Sequence, residues 1–590
     1  MNNIFKSIFG LASLSFMPLA FANGITAAQE QQCGCDYTMS TYQGSFNGVT
    51  AGIQPGDTIC LDATVNYSKM QWSDVIGTEQ DPVTIKNCGG QAYINSIHLG
   101  GSGYGWRFYN SSFIKIKGDG DPQHQYGIKV STTEGFYISM ERRSTNIEIA
   151  NVEIAGLHTV TPTSDHNAFA GIGIKTKPTC DGLSNQDTWT MYDISVHDNY
   201  IHDVGGEGLY IGHGFYEGRP DTDCPLVNGE APILKSHSIK GLRVFNNLVE
   251  NTGYDGIQVK NADEDARIHH NVIRNYGLKE NGNHDEGLFI GDGSEAYIYN
   301  NWVDNGPGVK KGHGIKLNGF GNSRVYNNVV VNYGADAFPS GQVVYTGKRN
   351  SSIYLNNNPY YNNNYEGTFK IYNNTFVGAQ HYAIEAYTSQ AIELKNNIFT
   401  GYDRQSSISS TAVTDLSNIF NPDITALNFV DAANQDFRLL ATSTAVNNGV
   451  NTRAVVNDDY DGLLRRDGNT DIGAYELNGI DPNTAPSIFV VTPSNDITLT
   501  HDDIWDDVRE RFLAVFIEAE LIDPAGVAVN VQYILNGRHI GTDRLPRATE
   551  HWIGGQRLNV GANDFYAIAV DINGTVTRSP SITITLLADD

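Results

Sequence analysis

The chain has 590 residues, 61 of them glycine, and sets 39 lysines and arginines against 66 acidic residues, a formal charge of −27 with histidine neutral. That length leaves room for a large core and more than one domain. The charge excludes nucleic acid as a partner, since phosphate recognition needs a positive footprint. It also obliges any acidic polymer to meet a local cationic groove, a divalent ion or salt screening.

In chain order, residues 1–22 combine Lys6, an apolar run from Ile8 to Phe21 and the small-residue triplet Ala20, Phe21, Ala22. This reads as a secretory signal peptide, too short to span a bilayer. The expectation is a secreted protein, extracellular or periplasmic, monomeric and without a membrane span. Export permits disulfides among Cys33, Cys35, Cys60, Cys88, Cys180 and Cys224. The "CGC" spacing lacks the second ligand pair that a metal site needs.

From residue 196 onward a pattern recurs in "RVFNNLV", "RIHHNVI", "YIYNNWV", "RVYNNVV", "KIYNNTF" and "ELKNNIF", with "SVHDNYI" ahead of them. Its asparagines fall at 199, 247, 271, 301, 328, 374 and 397, at intervals of 48, 24, 30, 27, 46 and 23 residues. A period near 24, made of short alternating apolar runs broken by Asn and Gly, predicts stacked β-coils. The fold class is all-β, a right-handed parallel β-helix over residues 36–478 with the asparagines forming an inward ladder.

A second strand recurs as "AGIGIK", "EGLYIG", "DGIQVK", "EGLFIG" and "HGIKLN". Period-two alternation turns Ile257 and Val259 inward, and Lys175, Tyr210, Gln258, Lys260, Phe289, Lys316 and Asn318 outward. Insertions follow Lys175 and Gly212, so two neighbouring coils send loops over this face and a Cys180–Cys224 disulfide is expected between them. The groove they border collects Glu207, Tyr210, His213, Asp255, Gln258, Lys260, Asp285, Glu286, Phe289, His313, Lys316 and Asn318. Such a mixture of acids, bases and aromatics suits a polysaccharide. After "ELNGIDPNTAPSI" the ladder stops, a linker falls near 477–486, and cysteine-free strands to the C-terminus predict an immunoglobulin-like sandwich over 486–590.

The opening "GIQPGDTICLDATVNY" with "IGTEQDPVTIKNCGG", and "RRDGNTDIGAYE" at 465–476, resemble the secreted pectate-lyase-like β-helix proteins. "KGHGIKLNG" is similar to the strand that carries the lysine base in family 9 polysaccharide lyases, and "VQYILNGRHIGTDRLP" resembles bacterial Ig-like modules. The resemblance implies β-elimination on a uronate-containing polysaccharide, with Lys316 as base. Lys260 would lend positive field and His313 would relay the proton. Tyr210, His213, Gln258, Phe289 and Asn318 would contact substrate, and Asp255, Asp285 and Glu286 would hold Ca²⁺, although Gln258 and Phe289 stand where that family has aspartate. Two alternatives use the same column: a glycoside hydrolase drawing its carboxylates from Glu207, Asp255, Asp285 and Glu286, and a non-catalytic glycan-binding surface protein.

Overall fold

The computed structural model describes residues 24–96, 103–156, 167–306, 311–332, 350–357, 366–410, 412–465, 469–479, 481, 486–506, 511–523, 525–544, 550–572 and 574–588. The expected signal peptide, residues 1–22, lies outside the described residues. None of the described helices is long and apolar enough to cross a membrane. The chain divides into two compact units, residues 1–264 and 265–590.

The first unit is a parallel β-helix of three sheets. One stacks Tyr37–Met39, Thr58–Asp62, Val83–Cys88, Ser112–Lys117, Thr145–Ala150, Thr190–His197 and Ser238–Phe245. A second stacks Ser45–Asn47, Met70–Ser73, Trp106–Tyr109, Ile138–Glu141, Ile172–Ile174, Leu209–Ile211 and Ile257–Val259. The third runs from Ala92–Ser96 to Leu248–Glu250. Inward positions are β-branched or aromatic and fully buried, among them Trp72, Trp106, Ile147 and Val196. At about 25 cal/mol per Å² of apolar area, such rows supply the main stabilisation of each coil. Cys33–Cys88, Cys35–Cys60 and Cys180–Cys224 are disulfide-bonded, so the expected loop-to-loop bridge is present.

The second unit repeats the three-sheet plan through Ile419–Asn421. Its asparagine ladder is continuous from Asn271 through Asn301, Asn328, Asn374 and Asn397 to Asn418, each amide donating to the next side-chain carbonyl at 2.8–3.0 Å. Asn199 does the same to Asn247 in the first unit. The residue before each rung is left-handed, as at Asn246, Asn300, Asn327, Asn373 and Asn396. Asparagine tolerates that conformation better than other residues with a Cβ. This accounts for the "NN" dipeptides: the first residue makes the corner and the second fills it.

Regular coiling ends before the expected boundary at 478. Residues 424–465 and 469–477 lie instead along the side of the second unit, burying Phe429, Phe437 and Ile472 against Val329, Val331, Val377 and Ile398. The corner asparagines dock this strap. Asn300 and Asn327 donate to Asp459 and Asp458 carbonyls, Asn373 to Asp471, and Asn396 to Val450. Arg465 locks it from a fully buried position, with an ion pair to Glu476 at 2.7 Å and bonds to Asp458, Asn327, Gly473 and Ala474. Beyond the linker, sheets of three and six strands form a β-sandwich around Ile517, Val531, Tyr533, Ile553 and Phe565.

Replacing Arg465 with Met removes the cation that ion-pairs with the buried Glu476 carboxylate, along with the guanidinium donors to the Asp458, Gly473 and Ala474 carbonyls. The expected cost is about 3–5 kcal/mol. It is measured as a lowered urea midpoint, with amide protection lost first along coils 296–400.

Candidate functional site

The alternation expected for the second sheet holds inside: Ile172, Ile174, Leu209, Ile211, Ile257, Val259, Leu288, Ile290, Ile315 and Leu317 are buried in the core. Outside, the column is less open than its pattern implies. Glu207, Tyr210, Asp255 and Gln258 of the first unit are buried, as are Asp285, Glu286, Phe289 and His313 of the second. His213, Lys260, Lys316 and Asn318 are partly exposed.

In the second unit Lys316 reaches back one coil to Glu286, with Nζ 2.5 Å from Oε1 and side-chain exposures of 12% and 1%. Glu286 Oε2 accepts the His313 backbone N–H at 2.8 Å. Burial by itself would raise this carboxyl, but the Lys316 ammonium, His313 and their hydrogen bonds hold it below the usual carboxylate range. His313 stacks on Tyr354 at 4.5 Å while its Nδ1 accepts the Ser351 N–H. The ion pair stabilises charge on both partners, which opposes use of this lysine as a neutral base. It also bears on the expected calcium site: a cation at Glu286 meets an ammonium already bonded to that carboxylate, so Glu286 does not fit. In the first unit Glu207 and Asp255 bring buried carboxylate oxygens within 4.8 Å of each other, which suits the hard-oxygen preference of Ca²⁺ better.

The first unit places another lysine differently. Lys175 ends the strand Ile172–Ile174, and its Nζ lies 4.3 Å from the Tyr210 ring centre, 5.0 Å from Phe136 and 5.6 Å from Phe169. Gly173 makes this box possible, because a Cβ there would come within 2.4 Å of the Phe136 ring. Among the described residues no carboxylate reaches Lys175 within ion-pairing distance. Burial pulls the ammonium down to about 8, against the opposing fields of Glu207 and Glu141, and Lys260 adds to the lowering.

Lys175 lines a cavity of about 540 Å³ with Glu141, Arg142, Arg143, Lys177, Thr179, Asp181 and His213. Four basic side chains against two acidic ones make this a positive spot on an acidic protein. Lys177 is partly committed to Asp221 and Asp223. Arg142 and Arg143 occupy consecutive left-handed positions, with φ of 51° and 66°, a strain of about 1–2 kcal/mol each. The Arg143 N–H donates to Thr176 Oγ1 at 2.9 Å, and the Thr176 N–H donates to His237 Nε2 at 3.2 Å. Thr176, the residue that follows Lys175, thus ties the arginine turn to His237. Burial lowers His237 to about 4, and burial with the field of Lys175 lowers His213 to about 3, so both imidazoles are neutral near pH 7. The loop after Lys175 supplies Thr179, Asp181, Leu183 and Ser184 to the wall, and His213, which follows Gly212 at the start of the loop tied to it by the Cys180–Cys224 disulfide, completes it.

No protein-family model matches the sequence, and no curated protein does. Among solved structures, the chain is similar to an alginate lyase from Paenibacillus sp. strain FPU-7, with 13% identity over 65% of this chain and 100% of that one, at a TM-score of 0.27. It is also similar to the fibronectin(III)-like modules of Clostridium thermocellum CbhA, with 18% identity and a TM-score of 0.14. That match takes in 17% of this chain and 46% of that one, less than half the length of the CbhA structure.

Lys175 carries a desolvation cost that the unfolded chain does not. Its folded pKa lies below the ordinary lysine value, so the cost is present in full below about pH 8 and disappears as pH rises through about 10.5. Lys175→Met is therefore expected to be more stable than the parent by roughly 2–3 kcal/mol at pH 7. The gain should shrink progressively above pH 8, as read from denaturation midpoints across that range.

Proposed function

We propose that this chain is a secreted polysaccharide lyase that cleaves a uronate-containing polymer by β-elimination, with Lys175 as its base. The observation that carries this reading is a lysine lowered to about 8 inside a cavity lined by arginines. Eliminating a glycosidic oxygen from a uronate requires loss of the proton α to the carboxylate and stabilisation of the enolate-like charge that follows. Neutral Lys175 accepts that proton, the new carbon–carbon double bond forms, and the glycosidic oxygen leaves with a proton from the solvent-facing side of the cavity. Arg142 and Arg143 pair with the carboxylate, and guanidinium forks match its geometry. Tyr210 and Phe136 flank the amine and limit its hydration.

Two features favour elimination over hydrolysis. Glu207 and Asp255 are fully buried beneath the sheet's outer residues, out of reach of a glycosidic bond. Glu286 is neutralised by Lys316. Glu207 and Asp255 are the side chains that would hold Ca²⁺, and such an ion, when bound, would add positive charge near the base.

The reading is tested on pectate, alginate, glycosaminoglycans and sulfated algal glycans by following ultraviolet absorbance together with reducing ends. Lys175→Ala should abolish new absorbance, and Lys175→Arg should not restore it, because guanidinium stays protonated. The double replacement Lys316→Met with Glu286→Gln should retain most of the activity. The opposite pattern, with Lys175 dispensable and the pair essential, would move the base to Lys316. Activity of the parent should climb with pH through about 8 as Lys175 deprotonates.

A further inference from the structure

The cavity at Lys175 continues along the first unit, through Arg142 at its edge, to Tyr104, Arg107, Tyr109 and Lys69, a strip of cations and aromatics that the proposed chemistry does not use. Arg142 lies 4.1 Å from the Tyr109 ring centre. Arg107 lies 3.8 Å from the Tyr104 ring centre and donates to the Tyr109 hydroxyl at 2.9 Å. At the other end of the strip Lys69 Nζ stands 5.8 Å from the Tyr104 ring centre. The sheet register places these groups along the stacking direction: Gln71 pairs with Arg107, Arg107 with Ser139, and Ser139 with Gly173. At about 4.8 Å per coil, Arg107 sits roughly 10 Å from the base and the Lys69 coil roughly 15 Å away. Glu141 is the acidic group facing this row, and it is engaged by Arg107 at 3.5 Å and by the Ser139 hydroxyl.

Resting on the lyase reading above, we propose that Tyr104, Arg107 and Lys69 form remote subsites for a linear polyuronate. The polymer lies along the coil stack, with one sugar at Lys175 and further uronates two to three coils toward the N-terminus. Charge complementarity argues for this occupant. The protein has a net charge of −27, yet among the described residues this row sets Arg107, Arg142 and Lys69 beside Glu141, whose charge is already met by Arg107. The Tyr104 ring beneath the Arg107 guanidinium offsets part of the hydration it loses, while the guanidinium donors not engaged by Tyr109 and Glu141 serve a carboxylate. The tyrosines give the sugar faces an apolar bed between the charges. An enzyme built this way gains little from short substrates and prefers internal cleavage of long ones.

The test uses the full chain and oligogalacturonates and oligoalginates of defined length. Arg107→Met and, as a variant that leaves the Arg107–Glu141 pair intact, Tyr104→Ala are each compared with the parent. The expected result is a fall of about tenfold in the ratio of kcat/KM on hexamers to that on dimers, the loss of one charge-assisted contact. Binding of the same oligomers to Lys175→Met, followed by calorimetry, should show the same length-dependent loss and a shallower salt dependence when Arg107 is also replaced. Equal losses at both lengths, no loss, or displacement of the hexamer by inorganic polyphosphate as readily as by uronate overturns the proposal. Because calorimetry on Lys175→Met reads the strip without turnover, failure of Lys175 as base and failure of the subsites give different outcomes.

Discussion

Everything in this protein hangs on a corner that asparagine can turn. Each coil must change direction sharply between two sheets without leaving buried amides and carbonyls unpaired, because each such orphan costs on the order of 1–3 kcal/mol. The "NN" dipeptide solves both halves at once. Its first residue accepts a left-handed conformation, and its second turns inward, where Asn301, for example, donates to Asn328 and to the Ile268 carbonyl while its backbone N–H reaches Asn328 Oδ1. With the corners equal, strands register coil upon coil, and the outer columns fall into line closely enough to assemble chemistry from residues far apart in the chain.

The same register produces two lysines with opposed properties. Lys175 and Lys316 both point out of the second sheet in their respective units. One faces aromatic rings and loses hydration without gaining a carboxylate; the other finds Glu286 one coil back. Burial works against the ammonium in the first case and is offset by Coulomb attraction in the second. An outward position on the sheet is therefore not enough to assign a base. What decides is the neighbour supplied by the adjacent coil.

This also explains what could be read from the residues alone. The ladder was legible because a period near 24 repeats one chemical requirement, and an eighth rung at Asn418 in "LSNIF" follows the same rule in a weaker copy. The loop disulfide was legible because both insertions leave equivalent strand ends. The parity of Lys316 was legible as well, but its partner Glu286 lies 30 residues away, and nothing in "GHGIKLNG" announces it. Lys175 carried a quieter signal. Glycine at 173, in a column otherwise holding Arg107, Ser139, Tyr210 and Gln258, marks the place where Phe136 crosses the sheet. Burial by Phe136 and Phe169 depends on chain segments whose route across the coils has no periodic signature.

The strap that follows the last coil has a consequence for how the molecule is made. A solenoid without it gains stability coil by coil, since each repeat touches only its neighbours. Here Val450, Asp458, Asp459 and Asp471 are bonded to corners on four different coils, and Arg465 reaches Asn327 across 138 residues. Those corners stay unclasped until the chain has been synthesised past Glu476. The coils of the second unit therefore lack these bonds while the polypeptide is still emerging, and a chain cut short before the strap lacks the clasp that links stacked repeats to one another beyond nearest neighbours.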